Sequence, residues 1–301
     1  LETQRVYVDD SYAHYAQAGN GEATLVVLHG WGASLKQWEW LLPIMANAGY
    51  TAYAVDLLGH GEAPRLPHNH TIEDYQDHLS QWMKALDIRQ PILLGHSLGG
   101  YLSLQYALEN PGMVTGLILV DPLYSYHQFD HHRQSAGRLL SKPGTLTVLE
   151  IFFRYTPTWL IEASHRWNRS ESADVPARLR RQVALDYKRA DPHILRTLLS
   201  IGDLRPYLGH VTAPTLVAWG CHDLLLPHDS FETLVDLLPA ARGHCFTNIG
   251  HNPHLTRAPR FTKLILTFLG QVKGDNESSG TTPTDTRQLW TPFTVTAPTD
   301  H

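Results

Sequence analysis

A serine hydroxyl is a weak nucleophile near neutral pH. It becomes a strong one beside a base that is itself oriented by a third group. The segment Gly95-His96-Ser97-Leu98-Gly99 has the G-x-S-x-G spacing of such a nucleophile. An apolar run, Pro91–Leu94, comes before it and a helical pattern, Tyr101–Leu108, follows, which predicts that Ser97 sits on a strand-to-helix turn. So sharp a turn forces the serine into an unfavourable backbone region. Glycines two residues to either side leave room for it, and Gly100 lets the helix lie close to the strand. A glycine-rich phosphate turn is the other use of such a sequence, but neither G-x-G-x-x-G nor a lysine-bearing P-loop pattern accompanies it.

The base must come from elsewhere in the chain. Presence of a histidine says little in a sequence with 19 of them; placement says more. His251, in Thr247-Asn248-Ile249-Gly250-His251, follows the last strand-like run, so its loop falls at the same sheet edge as Ser97. There it can take the serine proton and return it to a leaving group. His254 is its nearest rival. Asp223, in Gly220-Cys221-His222-Asp223, follows the strand-like run Thr215–Trp219 and can hold the imidazole in the needed tautomer. Asp121, after the run Val114–Val120, competes for that role, while Asp229 fits a helix-opening aspartate.

Positioning these groups takes a parallel sheet. The sequence predicts strands at Arg5–Val8 and Tyr12–Gln17 around a turn at Asp9-Asp10, then at Thr24–Leu28, Tyr50–Val55 and Val114–Val120, with a further one at His244–Ile249. Helices are predicted over Trp38–Ala48, Thr71–Leu86 and Pro259–Leu269, with Thr71 as N-cap. This alternation means an α/β domain with a mostly parallel sheet covered by helices on both faces. The rhythm breaks between residues 123 and 207, where aromatics and arginines recur at helical spacing. The expected organisation is a core of residues 1–122 and 208–272, a helical cap of residues 123–207 and a disordered tail of residues 273–301.

Composition limits the rest. The chain of 301 residues is 43% hydrophobic and 18% charged, which suits a globule with a sizeable core. Its net charge of −5 argues against binding nucleic acid by phosphate neutralisation. No apolar stretch is long enough for a transmembrane helix. Cys221 and Cys245 read as two free thiols of a reducing compartment, hence a cytoplasmic expectation, although a signal removed before Leu1 is compatible with the sequence. His127, His131 and His132 with Asp130 read as a solvated histidine-rich face rather than a metal site. The cap carries 13 Lys/Arg against 8 Asp/Glu, leaving 11 against 21 in the remainder. The basic cap favours acidic substrates or balances an acidic core, the second being the default reading.

Taken in order, His29-Gly30-Trp31-Gly32, Asp56-Leu57-Leu58-Gly59-His60-Gly61, the Ser97 turn, Gly220–Asp223 and Gly250-His251 resemble the serine hydrolases of the α/β-hydrolase fold, over residues 5 to 270. The resemblance implies an esterase or lipase-like enzyme with a helical cap, with Ser97, Asp223 and His251 catalytic. It implies an oxyanion hole from the backbone N–H groups of Trp31 and Leu98, and structural roles for His29 and His60. A serine at the turn, rather than aspartate or cysteine, argues against dehalogenase, epoxide-hydrolase and dienelactone-type chemistry. No metal or organic cofactor is implied, and the partner is a small ester. Phe129, Phe153 and Trp159, with Phe152, Tyr155 and Trp167, are candidates for a pocket over Ser97 or for packing the cap onto the core. Carbon–carbon, lactone or amide hydrolysis and perhydrolysis can use the same triad, and a small-ligand receptor with little turnover is a reading of another class. Oligomeric state is not legible.

Overall fold

The computed structural model describes residues 2–8, 11–66, 70–129, 142, 144–167 and 175–278. Eight strands form one sheet: β1 (Thr3–Val8), β2 (Ser11–Ala18), β3 (Ala23–Leu28), β4 (Tyr50–Val55), β5 (Ile92–His96), β6 (Gly116–Val120), β7 (Thr215–Gly220) and β8 (Ala241–Phe246). Their spatial order is β1-β2-β4-β3-β5-β6-β7-β8. β2 runs antiparallel to β1 and β4, and every other pairing is parallel. Parallel strands need crossovers that cover both faces of the sheet, which is why β3, β5, β6 and β7 are near-continuous apolar runs.

Two apolar layers follow from that geometry. One lies between the sheet and the helices α2 (Ile72–Ala85), α3 (Leu98–Glu109) and α8 (His228–Leu237), and contains Tyr75, Trp82, Leu102 and Phe231. The other lies under α1 (Leu41–Asn47) and α9 (Ala258–Ser278), and contains Trp38, Met45, Phe261 and Ile265. α2 begins at a full capping box: the Thr71 hydroxyl accepts from the Asp74 amide, and Asp74 accepts from the Thr71 amide.

Between β6 and β7 the described residues include the helices α4 (Thr145–Tyr155), α5 (Thr158–Trp167), α6 (Ala177–Arg189) and α7 (Ile194–Ser200). α4 and α5 pack against α6. Among the described residues this segment has no strand, only an isolated bridge between Ser125 and Asp203.

Three expectations need correcting. The single helix expected over Trp38–Ala48 is a 3-10 turn, Leu35–Trp38, followed by α1. Pro43 lacks an amide proton and is tolerated in the first turn of a helix, not in its middle, so the helix starts at Leu41. The closing helix continues past Lys273 to Ser278, so the tail does not begin where the composition shifts. Cys221 and Cys245 are joined by a disulfide, with a Cα–Cα distance of 5.4 Å. The parallel register of β7 and β8 sets Trp219 opposite Cys245 and brings the two sulfurs together. The free-thiol basis for a cytoplasmic location is thereby removed. No helix among the described residues is long and apolar enough to cross a membrane.

Candidate active site

Ser97 ends β5 and caps α3 with φ 51° and ψ −112°, a positive φ that a serine adopts only where its surroundings impose it. The surroundings do so through backbone bonds: the Ser97 amide donates to Val120 O, and Ser97 O accepts from Gly100, Tyr101 and Leu123. The flanking glycines have no substitute. A Cβ on Gly95 would lie 2.2 Å from Gly99 O, and one on Gly99 would lie 2.6 Å from Leu28 O. Ser97 itself is half-buried.

His251 follows β8 and lies beside this turn. Its Nδ1 is 2.7 Å from Asp223 Oδ2, and both side chains are buried. Burial alone would raise the Asp223 carboxyl. The neighbouring imidazole, its hydrogen bond and the Leu226 and Leu225 amides outweigh burial and hold Asp223 below the usual carboxylate range. An ionised Asp223 accepts, so His251 Nδ1 carries the proton and Nε2 is left as the basic nitrogen. Asp223 Oδ1 is meanwhile fixed by the amides of Leu225 and Leu226, at 2.7 and 3.1 Å.

Asp121 is close to this pair: one oxygen of each carboxylate and one nitrogen of His251 lie within 4.8 Å of one another. Its Oδ1, however, accepts the Gly220 amide at 2.9 Å, which ties the end of β6 to the end of β7. His254 is fully buried, stacks on Trp38 with ring centroids 4.4 Å apart, and accepts from Gln37 Nε2 at 2.6 Å. Burial, with His96 and His251 nearby, pushes its pKa well below the ordinary histidine range. It is a neutral packing residue.

His96 fills the variable position of the G-x-S-x-G turn, where no sequence rule marks it. Its Nε2–H donates to the His251 carbonyl at 2.9 Å, and the two rings lie 4.9 Å apart. Burial, reinforced by His251, lowers its pKa to about 3, so it stays neutral while it holds the backbone of residue 251 against the nucleophile turn.

The loop after β3 closes the other side. His29 Nε2 accepts the Leu57 amide at 3.0 Å, which places its proton on Nδ1, and that N–H donates to Gly30 O at 2.8 Å. A Cβ on Gly30 would lie 3.1 Å from Ser97 Cβ, so this loop runs directly past the nucleophile. The next amide, Trp31, and the first amide of α3, Leu98, donate no hydrogen bond among the described residues. Asp56 anchors the loop by accepting from Leu35 and Glu62 amides and from His14. His60 is buried and donates to Leu58 O, and burial lowers its pKa to about 3.

The cap reaches the same loop. The Trp31 ring meets Tyr187 of α6 edge to face, with centroids 5.4 Å apart, and Ser34 Oγ donates to Asp186 Oδ2 at 2.7 Å. Neither Tyr187 nor Asp186 was singled out from sequence, where α6 reads only as a charged helix. Of the expected pocket residues, Trp159 is 67% exposed on α5. Phe152 and Tyr155 of α4 are exposed as well. Phe129 ends a 3-10 turn, Tyr126–Phe129, and Phe153 and Trp167 lie in α4 and α5, but their side chains are outside the described set, as are Asp130, His131 and His132. His127 lies 3.9 Å from Asp203.

Comparison with known proteins agrees with this architecture. Residues 23–258 match the model of the alpha/beta hydrolase fold family, and the chain belongs to that family. It is 28% identical over 266 residues to a 2-hydroxy-6-oxononadienedioate/2-hydroxy-6-oxononatrienedioate hydrolase of Paraburkholderia xenovorans, covering 85% of this chain and 90% of that one. It is 27% identical to a pimeloyl-[acyl-carrier protein] methyl ester esterase of Yersinia pseudotuberculosis, covering 86% and 98%. The crystal structure of a meta-cleavage product hydrolase from Pseudomonas fluorescens superposes with a TM-score of 0.71 at 22% identity, over 89% of this chain and 97% of that one. The protein is therefore a hydrolase of this fold.

Proposed function

We propose that the protein hydrolyses carboxylic esters through an acyl-enzyme on Ser97. The 2.7 Å bond between His251 Nδ1 and Asp223 Oδ2 beside the strained Ser97 turn carries this reading. His251 Nε2 takes the Ser97 proton as the oxygen attacks the acyl carbon. The Trp31 and Leu98 amides stabilise the oxyanion. The intermediate collapses with transfer of that proton from His251 to the departing alcohol. Water, deprotonated by His251, then attacks the acyl-serine and releases the acid.

A second reading has its own support. Two of the relatives above are hydrolases of oxo-dienoate or meta-cleavage substrates, whose hydrolysis breaks a carbon–carbon bond beside a ketone. That reaction needs a group to stabilise or protonate a carbon leaving group. His251 of the same triad can deliver that proton, while burial holds His96 and His254 neutral. An alkoxide leaving group is the less demanding of the two, which favours the ester. Phe129 and Phe153 remain proposed contributors to the acyl or alcohol pocket, whereas the exposure of Trp159 speaks against that role.

The test is steady-state turnover of p-nitrophenyl esters of graded acyl length beside 2-hydroxy-6-oxo-6-phenylhexa-2,4-dienoate. Higher kcat/KM on an ester is expected. Faster cleavage of the dienoate than of every ester would overturn the reading in favour of carbon–carbon hydrolysis. A single burst without recovery would favour a receptor.

A further inference from the structure

Amphipathic helices on a globule normally turn their apolar stripe inward. α4 does the reverse. Val148, Ile151, Phe152 and Tyr155 stand at i, i+3, i+4 and i+7, one face of the helix, and that face is outward: Val148 is 65%, Ile151 52% and Tyr155 75% exposed. Trp159 and Leu160 of α5, the next helix, are exposed as well, while Ile161, one residue on, is buried. Exposed apolar and aromatic side chains grouped in this way mark a surface that something covers.

Charge narrows what covers it. The acid on α4, Glu150, is bracketed by Arg154 at 3.2 Å and Arg65 at 3.7 Å. The cap carries 13 Lys/Arg against 8 Asp/Glu and the rest of the chain 11 against 21, so the segment that bears this strip is net basic and the remainder net acidic. A second copy meeting the strip through a twofold axis would bring like charges together. A negatively charged plane attracts the cap and repels the remainder, which fixes the orientation of approach. Valine and isoleucine with tyrosine, tryptophan and arginine on a convex helix face are the side chains that settle at the boundary between headgroups and acyl chains.

We propose that the outward face of α4, continued by Trp159 and Leu160 of α5, docks the protein cap-first on an anionic phospholipid surface. The inference is independent of which bond Ser97 breaks. The experiment is flotation of the full chain with vesicles of phosphatidylcholine alone or of phosphatidylcholine mixed with phosphatidylglycerol. Binding to the anionic vesicles is expected to be at least about tenfold tighter and to weaken with added salt. Val148→Ser with Ile151→Ser, and separately Arg154→Glu, are each expected to reduce it by about tenfold. Both variants change exposed positions, and a circular-dichroism melt checks that they fold. If the double variant does not fold, Tyr155→Ser takes its place. Absence of binding, equal binding to both vesicle types, or wild-type binding by these variants would overturn the proposal. So would sedimentation showing that the double variant dissociates a dimer of the wild-type chain.

Discussion

Asp223→Asn removes one charge and leaves the shape of the site unchanged, and the structure dictates how the new amide must sit. Asp223 Oδ1 accepts two backbone amides, Leu225 at 2.7 Å and Leu226 at 3.1 Å. An asparagine NH2 at that position would face two N–H donors, so its oxygen must take the place of Oδ1. Its NH2 then points along the former 2.7 Å bond to His251 Nδ1. The imidazole has to accept there and carry its proton on Nε2, the nitrogen that must be bare to deprotonate Ser97. The expected loss is about 10⁴-fold in kcat, or about 5.5 kcal/mol of transition-state stabilisation, with little change in KM. Asp121→Asn alters a carboxylate whose Oδ1 is engaged by the Gly220 amide rather than by His251 Nδ1, and an expected loss below about tenfold separates the two aspartates. The assay is pre-steady-state and steady-state hydrolysis of whichever p-nitrophenyl ester the enzyme prefers. A larger loss from Asp121→Asn than from Asp223→Asn would refute the assignment.

Two further predictions concern stability. Burial of Asp186, opposed by its bonds to Ser34 and Gln182, raises its pKa to about 6 in the folded protein, above the ordinary 3.8. The folded state therefore holds a proton that the unfolded chain releases, and stability falls as pH rises between those two values. Asp186→Asn is expected to raise stability at pH 8 by up to about 3 kcal/mol and to change little at pH 4, measured by urea unfolding at both; an equal effect at the two would contradict it. Cys245→Ser opens a disulfide between residues 24 apart in sequence and is expected to cost about 3.5 kcal/mol by the loop-entropy relation. The same denaturation curve for the wild type in reductant should approach that of the variant, and no shift in either would show that the bridge contributes nothing.

What the sequence revealed and what it hid have one physical origin. Strands β3, β5, β6 and β7 are covered on both faces, so their apolar runs are readable without knowing their neighbours. Ser97 is readable because part of its glycine requirement is local: the atoms that a Cβ on Gly95 would strike belong to Gly99, four residues on. His251 and Asp223 follow from the rule that parallel strands present their C-terminal ends on one edge. His96 and Asp186 owe their roles to partners 155 and 152 residues away, and no spacing rule reports such distances. The cysteine pair was misread for the same reason, since only the β7–β8 register brings the sulfurs together. Phe152 and Tyr155 differ from expectation for another reason: helical spacing makes them candidates for packing or a pocket, and only coordinates show that both face solvent.

The reaction depends above all on one hydroxyl. A fluorophosphonate probe captures an activated serine covalently, and intact mass followed by peptide mapping locates it. The predicted result is one adduct, on Ser97, abolished in Ser97→Ala together with about 10⁶-fold of kcat. Label on another residue, or an Ser97→Ala protein that still turns over ester at near the wild-type rate, would contradict a serine mechanism at this turn.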